Sequence, residues 1–394
     1  MAMNTLRSIT AGAGEFLRRP KVWILPVLLL LVGVVGLVDR MAFGKVGLNL
    51  TSYVPWGLWV GVYVFLVWLE VGSLIVFGCF YYLFGWKELK PIKATVYLAG
   101  GLILVMALMT IGFDLGQMFR IWRVYVAPDF GSAMTWMIWL HTVYLVLIVL
   151  KFLAAHRGNE RAGRAWFLVS LPLGIVLLAT VGGIFGFSAA RPFWNITVLP
   201  LHFLFAAIAA GTALIAVQIY LFRRDLTPGL AEAALLRLRP YLLGLMVFGL
   251  TVAVINALLI IYPRMPQQMA SLRLALFGPY WWSFWILHGL LGVGVSMALL
   301  VLTRRAAGVA LASLLIVAGF SALPPNIVIP ALATEALSGL AAAYQDHRLH
   351  LAYAPSLTEW LVLAFVVGFG WLAFALGRHF LRRPWISSAE EVSS

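Results

Sequence analysis

Ten separate apolar runs constrain this chain more than any other feature. They cover residues 22–38, 53–84, 94–113, 134–154, 166–185, 198–222, 240–262, 280–302, 309–332 and 357–381. A helix crosses the hydrocarbon core with roughly 20 apolar residues, within a range of about 17 to 25. Backbone N–H and C=O groups find no water there and must pair within their own segment. The expectation is an all-α integral membrane protein of about ten transmembrane helices, forming a single transmembrane domain over residues 1–394. The 63% hydrophobic and 11% charged composition lies far outside that of soluble domains. Pro55, near the start of the long second run, predicts a non-helical entry to that span.

The net charge of +14 invites a nucleic-acid reading, but its distribution accounts for it otherwise. With the first residues placed inside, 20 of the 28 Lys and Arg fall on alternate connections, among them Arg18, Arg19, Lys87, Lys90, Lys93, Lys151, Arg157, Arg223, Arg304 and Arg382. That is the excess expected of cytoplasmic loops, so both termini are expected in the cytoplasm and no nucleic-acid partner is implied. The first run follows Arg7, Arg18, Arg19 and Lys21 with no small-residue cleavage site after it, and is read as a retained helix. The longest polar connections, 114–133, 263–279 and 333–356, then lie together on the outer side, where a partner or lid has room.

A weak internal repeat runs through the chain. Gly72-Ser73-Leu74 in the second run is echoed by Gly211-Thr212-Ala213-Leu214 in the sixth, and Trp136, Trp139 and His141 in the fourth by Trp282, Trp285 and His288 in the eighth. Equivalent runs lie four helices apart and share an orientation, as in parallel repeats about an axis along the membrane normal. Two four-helix bundles follow, 53–185 and 198–332, flanked by the first helix and by a last helix at 357–381.

Ionisable groups inside a membrane are costly, and each is by default a functional hypothesis. The runs hold Glu70, Asp114, His141, His202, His288 and Glu359. Glu70 is mid-run, where a carboxyl is either protonated or paired, and is a candidate for a proton path or for a simple packing bond. Asp114 has Arg120 and Arg123 a few turns on as candidate ion-pair partners. The three histidines share an outward depth. Asn256 and Asn326 read as helix-packing groups, and Pro324-Pro325 ahead of Asn326 must disturb its helix. Cys79 is the one cysteine, so no zinc site, disulfide or cysteine-held iron–sulfur cluster can be built from this chain alone. No metal site is expected.

Several motifs carry a resemblance. Tyr53-Val54-Pro55-Trp56-Gly57-Leu58-Trp59-Val60, with Tyr63, Phe65 and Gly72-Ser73, resembles the opening signature of the NrfD/polysulfide reductase membrane-subunit family. Asp114-Leu115-Gly116, then Ser132-Ala133-Met134-Thr135-Trp136, Arg191-Pro192-Phe193-Trp194-Asn195 and Tyr353-Ala354-Pro355-Ser356-Leu357-Thr358-Glu359-Trp360 follow in the family's order. The ten-helix length resembles the larger HybB/DsrP-like branch. Ala133 stands where the family often has proline, and Glu70 where many relatives carry small residues.

The resemblance implies a haem-free subunit that is not catalytic by itself. It exchanges electrons between a quinone pool, menaquinone or ubiquinone, and a ferredoxin-like 4Fe-4S protein on the outer face. That protein in turn docks to a molybdopterin oxidoreductase or a nickel–iron hydrogenase. It also implies the cytoplasmic membrane of a bacterium or archaeon. Quinone chemistry moves protons with electrons and needs titratable groups at the ring oxygens. Asp114 and His141 are therefore the expected quinone contacts or proton carriers, with Trp56, Gly57, Tyr63, Ser132 and Trp136 shaping the pocket and Glu70 as the candidate for a proton path. Two other readings stay open: a cytochrome b holding haem between paired histidines, and a secondary transporter using the Pro324-Pro325-Asn326 break and the buried glutamate.

Overall fold

The computed structural model describes residues 20–195, 198–337, 339–343, 346 and 349–381. The terminal arginines Arg7, Arg18, Arg19, Arg382 and Arg383 lie outside the described residues. Among the described residues ten helices are long and apolar enough to cross a membrane: α1 Val22–Phe43, α2 Leu58–Leu83, α3 Lys87–Asp114, α4 Ala133–His156, α5 Glu160–Gly186, α6 Leu199–Leu221, α7 Leu230–Ile261, α8 Ser283–Leu302, α9 Ala306–Leu332 and α10 Leu357–Leu381. No strand occurs among the described residues. Because successive spans reverse direction, the connections 114–133, 263–279 and 333–356 share one face, the loop-rich face, and the opposite face carries Lys87, Lys90, Lys93, Glu160 and Arg304.

The helix α2 is the hub, with Trp59, Trp68, Phe77 and nearly all of its other side chains buried. It packs on α3, α5, α6 and the second half of α9, while α3 also packs on α4 and α4 on α5. On the other side α6 packs on α7 and α9, and α8 on α9. The outermost pair, α1 and α10, lie along each other, with α10 also against α3.

The two glycines singled out by the repeat meet in space. A side chain on Gly72 would strike the backbone carbonyl of Ala207, and one on Gly211 would strike the backbone of Gly72 and Ser73. Small residues let backbones approach where lipid offers no hydrophobic drive for association, so the echo marks the crossing of α2 and α6.

Apolar runs set the helices but underestimate their length at the basic face. The helix α7 starts at Leu230, ahead of the 240 expected, because Ala231, Ala234, Leu235 and Leu238 recur at helical spacing and are buried. Its exposed side carries Arg237, 3.5 Å from Glu88, and Arg239, which donates to the carbonyls of Leu300 and Val301 at the end of α8. Likewise α5 begins at Glu160, where the Asn159 side chain accepts from Ala162 N–H at 3.0 Å as an N-cap.

The expected break at Pro324-Pro325 is present. Helix Ala306–Phe320 stops and Leu323–Leu332 restarts, with the prolines in a first turn that has no use for their missing N–H. Asn326 Nδ2 spans the joint, donating to Ala322 O at 2.9 Å and to Ser283 Oγ of α8 at 3.2 Å. Residues 53–57 are non-helical ahead of α2, as Pro55 required.

Candidate functional site

Three of the sequence motifs are tied to one another at the loop-rich end. Trp56 stacks on Trp194, ring centroids 5.8 Å apart and 21° from parallel, and meets Phe185 edge-on at 5.8 Å. Arg191 donates to the carbonyls of Ala331, Thr334 and Tyr53, and Trp194 Nε1 to Ile327 O at 2.8 Å. Arg191 and Trp194 thereby satisfy carbonyls near the broken end of α9. Gly57 is obligatory here, because a Cβ would overlap the Tyr353 hydroxyl. That hydroxyl accepts from Leu58 N–H at 2.8 Å and donates to Glu359 Oε1 at 2.5 Å. Glu359 Oε2 accepts from the N–H and the hydroxyl of Ser356, and Trp59 Nε1 donates to the Glu359 carbonyl at 3.0 Å. Burial, and then the neighbouring Glu359 carboxyl, push the Tyr353 phenol above its ordinary range, so it keeps its proton and its donor role.

Tyr353→Phe removes one partner from each side of this node. With a buried N–H and a carboxyl oxygen left short of a bond, it is expected to lower stability by about 1–3 kcal/mol. A thermal midpoint reduced by several degrees in detergent would show it; an unchanged midpoint would count against the node's role.

Asp114 is buried at the loop-rich end of α3, but its partners come from before α2. Lys45 Nζ lies 3.7 Å from Oδ1, and Arg40, itself buried, donates to the carbonyls of Phe113 and Leu115 on either side. Arg120 and Arg123, the partners expected from spacing, are exposed: Leu115 turns the chain extended and carries them off. Among the described residues no hydrogen bond joins Asp114 to His141.

His141 instead meets Tyr63. Its Nε2 lies 3.3 Å from the Tyr63 hydroxyl, and its Nδ1 lies 2.7 Å from Met137 O one turn back. A carbonyl only accepts, so Nδ1 carries a proton and, in the neutral ring, Nε2 accepts from the phenol. Both ring nitrogens are thus occupied, which leaves neither free to ligate iron without rearrangement. His141 and Tyr63 are buried on facing helices α4 and α2.

Ser132 caps α4 by position and makes no side-chain capping bond. Trp136 is half exposed, with Nε1 donating to Phe130 O at 2.8 Å, the posture of an interfacial tryptophan. Glu70 is fully buried with both carboxyl oxygens unpartnered, within electrostatic reach of Lys151 on α4. His202 and His288 lie within electrostatic reach of each other.

Two cavities adjoin at the loop-rich end. One, of about 900 Å³, is lined by Lys45, Asn49, Pro55, Tyr280, His350 and Tyr353. The second, of about 360 Å³, is an apolar cleft bounded by Leu58, Val62 and Phe65 of α2, Leu287 of α8, Pro325 of α9 and Trp360 of α10. Tyr280 borders both. None of the eight residues chosen from sequence lines the cleft. A wall of Leu, Val and Phe carries no chemical signature, and only the crossing of four helices reveals it.

Ten helices able to span a membrane among the described residues, with a buried phenol–imidazole pair held between two of them, define a polytopic membrane protein. Residues 48–336 match the family described as polysulphide reductase, NrfD, and the chain belongs to that family. It is 25% identical over 388 residues to the C subunit of selenate reductase from Mesobacillus selenatarsenatis, covering 88% of this chain and 90% of that one. It is 25% identical over 374 residues to the Hdr-like menaquinol oxidoreductase integral membrane subunit of Archaeoglobus fulgidus, covering 90% and 91%. Protein NrfD of Escherichia coli is 23% identical over 288 residues, covering 64% of this chain and 86% of its own. The chain is therefore an integral membrane protein of a family whose members serve as membrane subunits of oxidoreductase complexes.

Proposed function

We propose that this subunit exchanges electrons between membrane quinone and an iron–sulfur protein docked on its loop-rich face, and that His141 with Tyr63 handles the accompanying protons. The observation that carries the reading is the buried Tyr63–His141 pair, a donor and an acceptor in line at 3.3 Å on two helices of the first bundle. When bound, a quinone accepts or gives up two electrons and two protons.

The chain's side chains suit such a group. His141 presents an imidazole fixed by Met137 O, able to gain a proton at Nε2 while Tyr63 turns its hydroxyl away. Asp114, held by Lys45 and flanked by Arg40, is the carboxyl proposed beside it for the second ring oxygen. Trp56 and Gly57 fix the entry of α2, Ser132 and Trp136 stand at that of α4, and the apolar cleft suits an isoprenoid tail. The Archaeoglobus relative's name favours menaquinone over ubiquinone.

The partner reading is a 4Fe-4S ferredoxin-like protein over the loops 114–133, 263–279 and 333–356, carrying electrons to or from a molybdopterin or nickel–iron catalytic partner. The positive-inside distribution supports a basic face and both termini in the cytoplasm of a bacterial or archaeal cell.

The test is binding of a quinone analogue to the purified chain, followed by quenching of tryptophan fluorescence. Asp114→Asn and His141→Ala are expected to weaken it about tenfold or more, the scale of one or two lost hydrogen bonds. Binding unaffected by both would overturn the site, and a haem absorption band in the preparation would overturn the haem-free reading.

A further inference from the structure

We propose that the first bundle contains a proton path from the basic face to the Tyr63–His141 pair, with Glu70 and Lys151 as its central groups; this rests on the quinone reading above. The path is written in two stripes. On α4, His141, Tyr144, Ile148 and Lys151 recur at helical spacing and are all buried. On α2, Tyr63, Glu70 and Phe77 recur every seven residues and are buried as well.

Two opposite ionisable groups sit deep in the span without closing into an ion pair. Glu70 has no hydrogen-bond partner on either oxygen, and the Tyr144 hydroxyl, within its electrostatic reach, has none either. Lys151 Nζ donates to Ser170 Oγ of α5 at 3.0 Å and lies 5.1 Å and 5.6 Å from the ring centres of Tyr144 and Tyr97. A structural ion pair would satisfy its own oxygens. A carboxyl left open between a lysine and a phenol has a free position from which a proton is received and passed on.

From Lys151 the groups continue to the basic face. Tyr97 lies within electrostatic reach of Tyr144, Tyr82 and Tyr81. The Tyr81 hydroxyl donates to Glu160 Oε1 at 3.0 Å, and Lys93 Nζ to the same oxygen at 2.7 Å. The Glu160 side chain is 38% exposed, so the path ends at water. Glycines leave room for the hydroxyls: a Cβ on Gly163 would strike that of Tyr82, and one on Gly174 would lie 3.1 Å from that of Tyr144.

The balance is two electrons and two protons per quinone. Electrons arrive from the iron–sulfur partner at the loop-rich face, and two protons arrive along the path from the basic face, forming the two O–H bonds of the quinol. Oxidation runs the same steps backwards. Tyrosines pass a proton by accepting one and releasing another, and Glu70 and Lys151 hold it between transfers. Electrons and protons entering from opposite faces would make turnover charge the membrane.

The experiment uses the intact complex in liposomes of known orientation, with a pH dye on each side and a quinone pool in the bilayer. The wild type is expected to exchange protons at the basic face, and Glu70→Gln and Lys151→Met to slow that exchange about 100-fold while quinone-analogue binding persists. Infrared difference spectra of the wild type should show a buried carboxylic acid band that Glu70→Asp shifts, a readout that needs no turnover. Proton exchange at the loop-rich face with quinone binding intact would overturn the path alone. Absence of quinone binding by the wild type would overturn the functional reading and the path with it.

Discussion

Gly211→Val is expected to keep the chain from accumulating as a folded protein. At this crossing the added atoms would overlap the backbone of Gly72 and Ser73, and backbone cannot rotate aside as a side chain can. The helices α2 and α6 pack closely on each other, and Phe203, Ala207, Ala210 and Ala213 of α6 are buried with α2 in one core. Overpacking of an ordinary core costs about 1–3 kcal/mol, and a backbone-to-backbone clash at the central crossing should exceed that range. Gly244→Val is the control, since a Cβ there meets nothing within 4 Å. Size-exclusion chromatography in detergent should give a single symmetric peak for the control and aggregate or nothing for Gly211→Val. Equal peaks for both would mean that the helices do not cross there.

Glu359→Ala should produce the second largest loss. Its carboxyl accepts from the Tyr353 hydroxyl and from the N–H and hydroxyl of Ser356, all buried. Truncation strands three donors in a site with little access to water. Hydrogen bonds to a charged group are worth about 1.5–3 kcal/mol each and are not additive, so a loss of about 3–5 kcal/mol is expected. The damage should be local first, because Tyr353 also holds the first N–H of α2 and Glu359 anchors the start of α10. Proteolysis around residues 349–356 should accelerate together with a lowered thermal midpoint. Glu359→Gln, which keeps an acceptor for Ser356 N–H, should lose less. An alanine variant as resistant as the wild type would show that the node is not what fixes α2 to α10.

Much of the architecture is legible because the membrane imposes a rule that composition obeys. Ten apolar runs give ten spans, Pro55 gives the late start of α2, and Pro324-Pro325 the break in α9. The helix ends at the basic face are less legible, since the apolar runs begin at 166 and 240 while the helices begin at Glu160 and Leu230. Lys151 is the clearest case: as one positive charge among many it reads as a loop residue, yet it is buried inside α4, hydrogen-bonded to Ser170. Its spacing from Tyr144 and His141 is the available signal, visible only once those positions are set on one face.

Partners distant in sequence are the least legible. Asp114 draws on Arg40 and Lys45, more than sixty residues earlier, because α1 returns along α10 beside the end of α3. The motif residues Trp56, Gly57, Arg191, Trp194 and Tyr353 are named by the resemblance as a set, but only their packing shows that they hold one another.

Photo-crosslinking with an azido-quinone in native membranes would locate the quinone ring among the helices. The quinone reading with His141 and Tyr63 at its centre predicts label within Leu58–Leu83 and Ala133–His156, displaced by excess unlabelled quinone and lost in His141→Ala. Label confined to Ser283–Leu302, Ala306–Leu332 and Leu357–Leu381, or label that excess quinone does not displace, would contradict it.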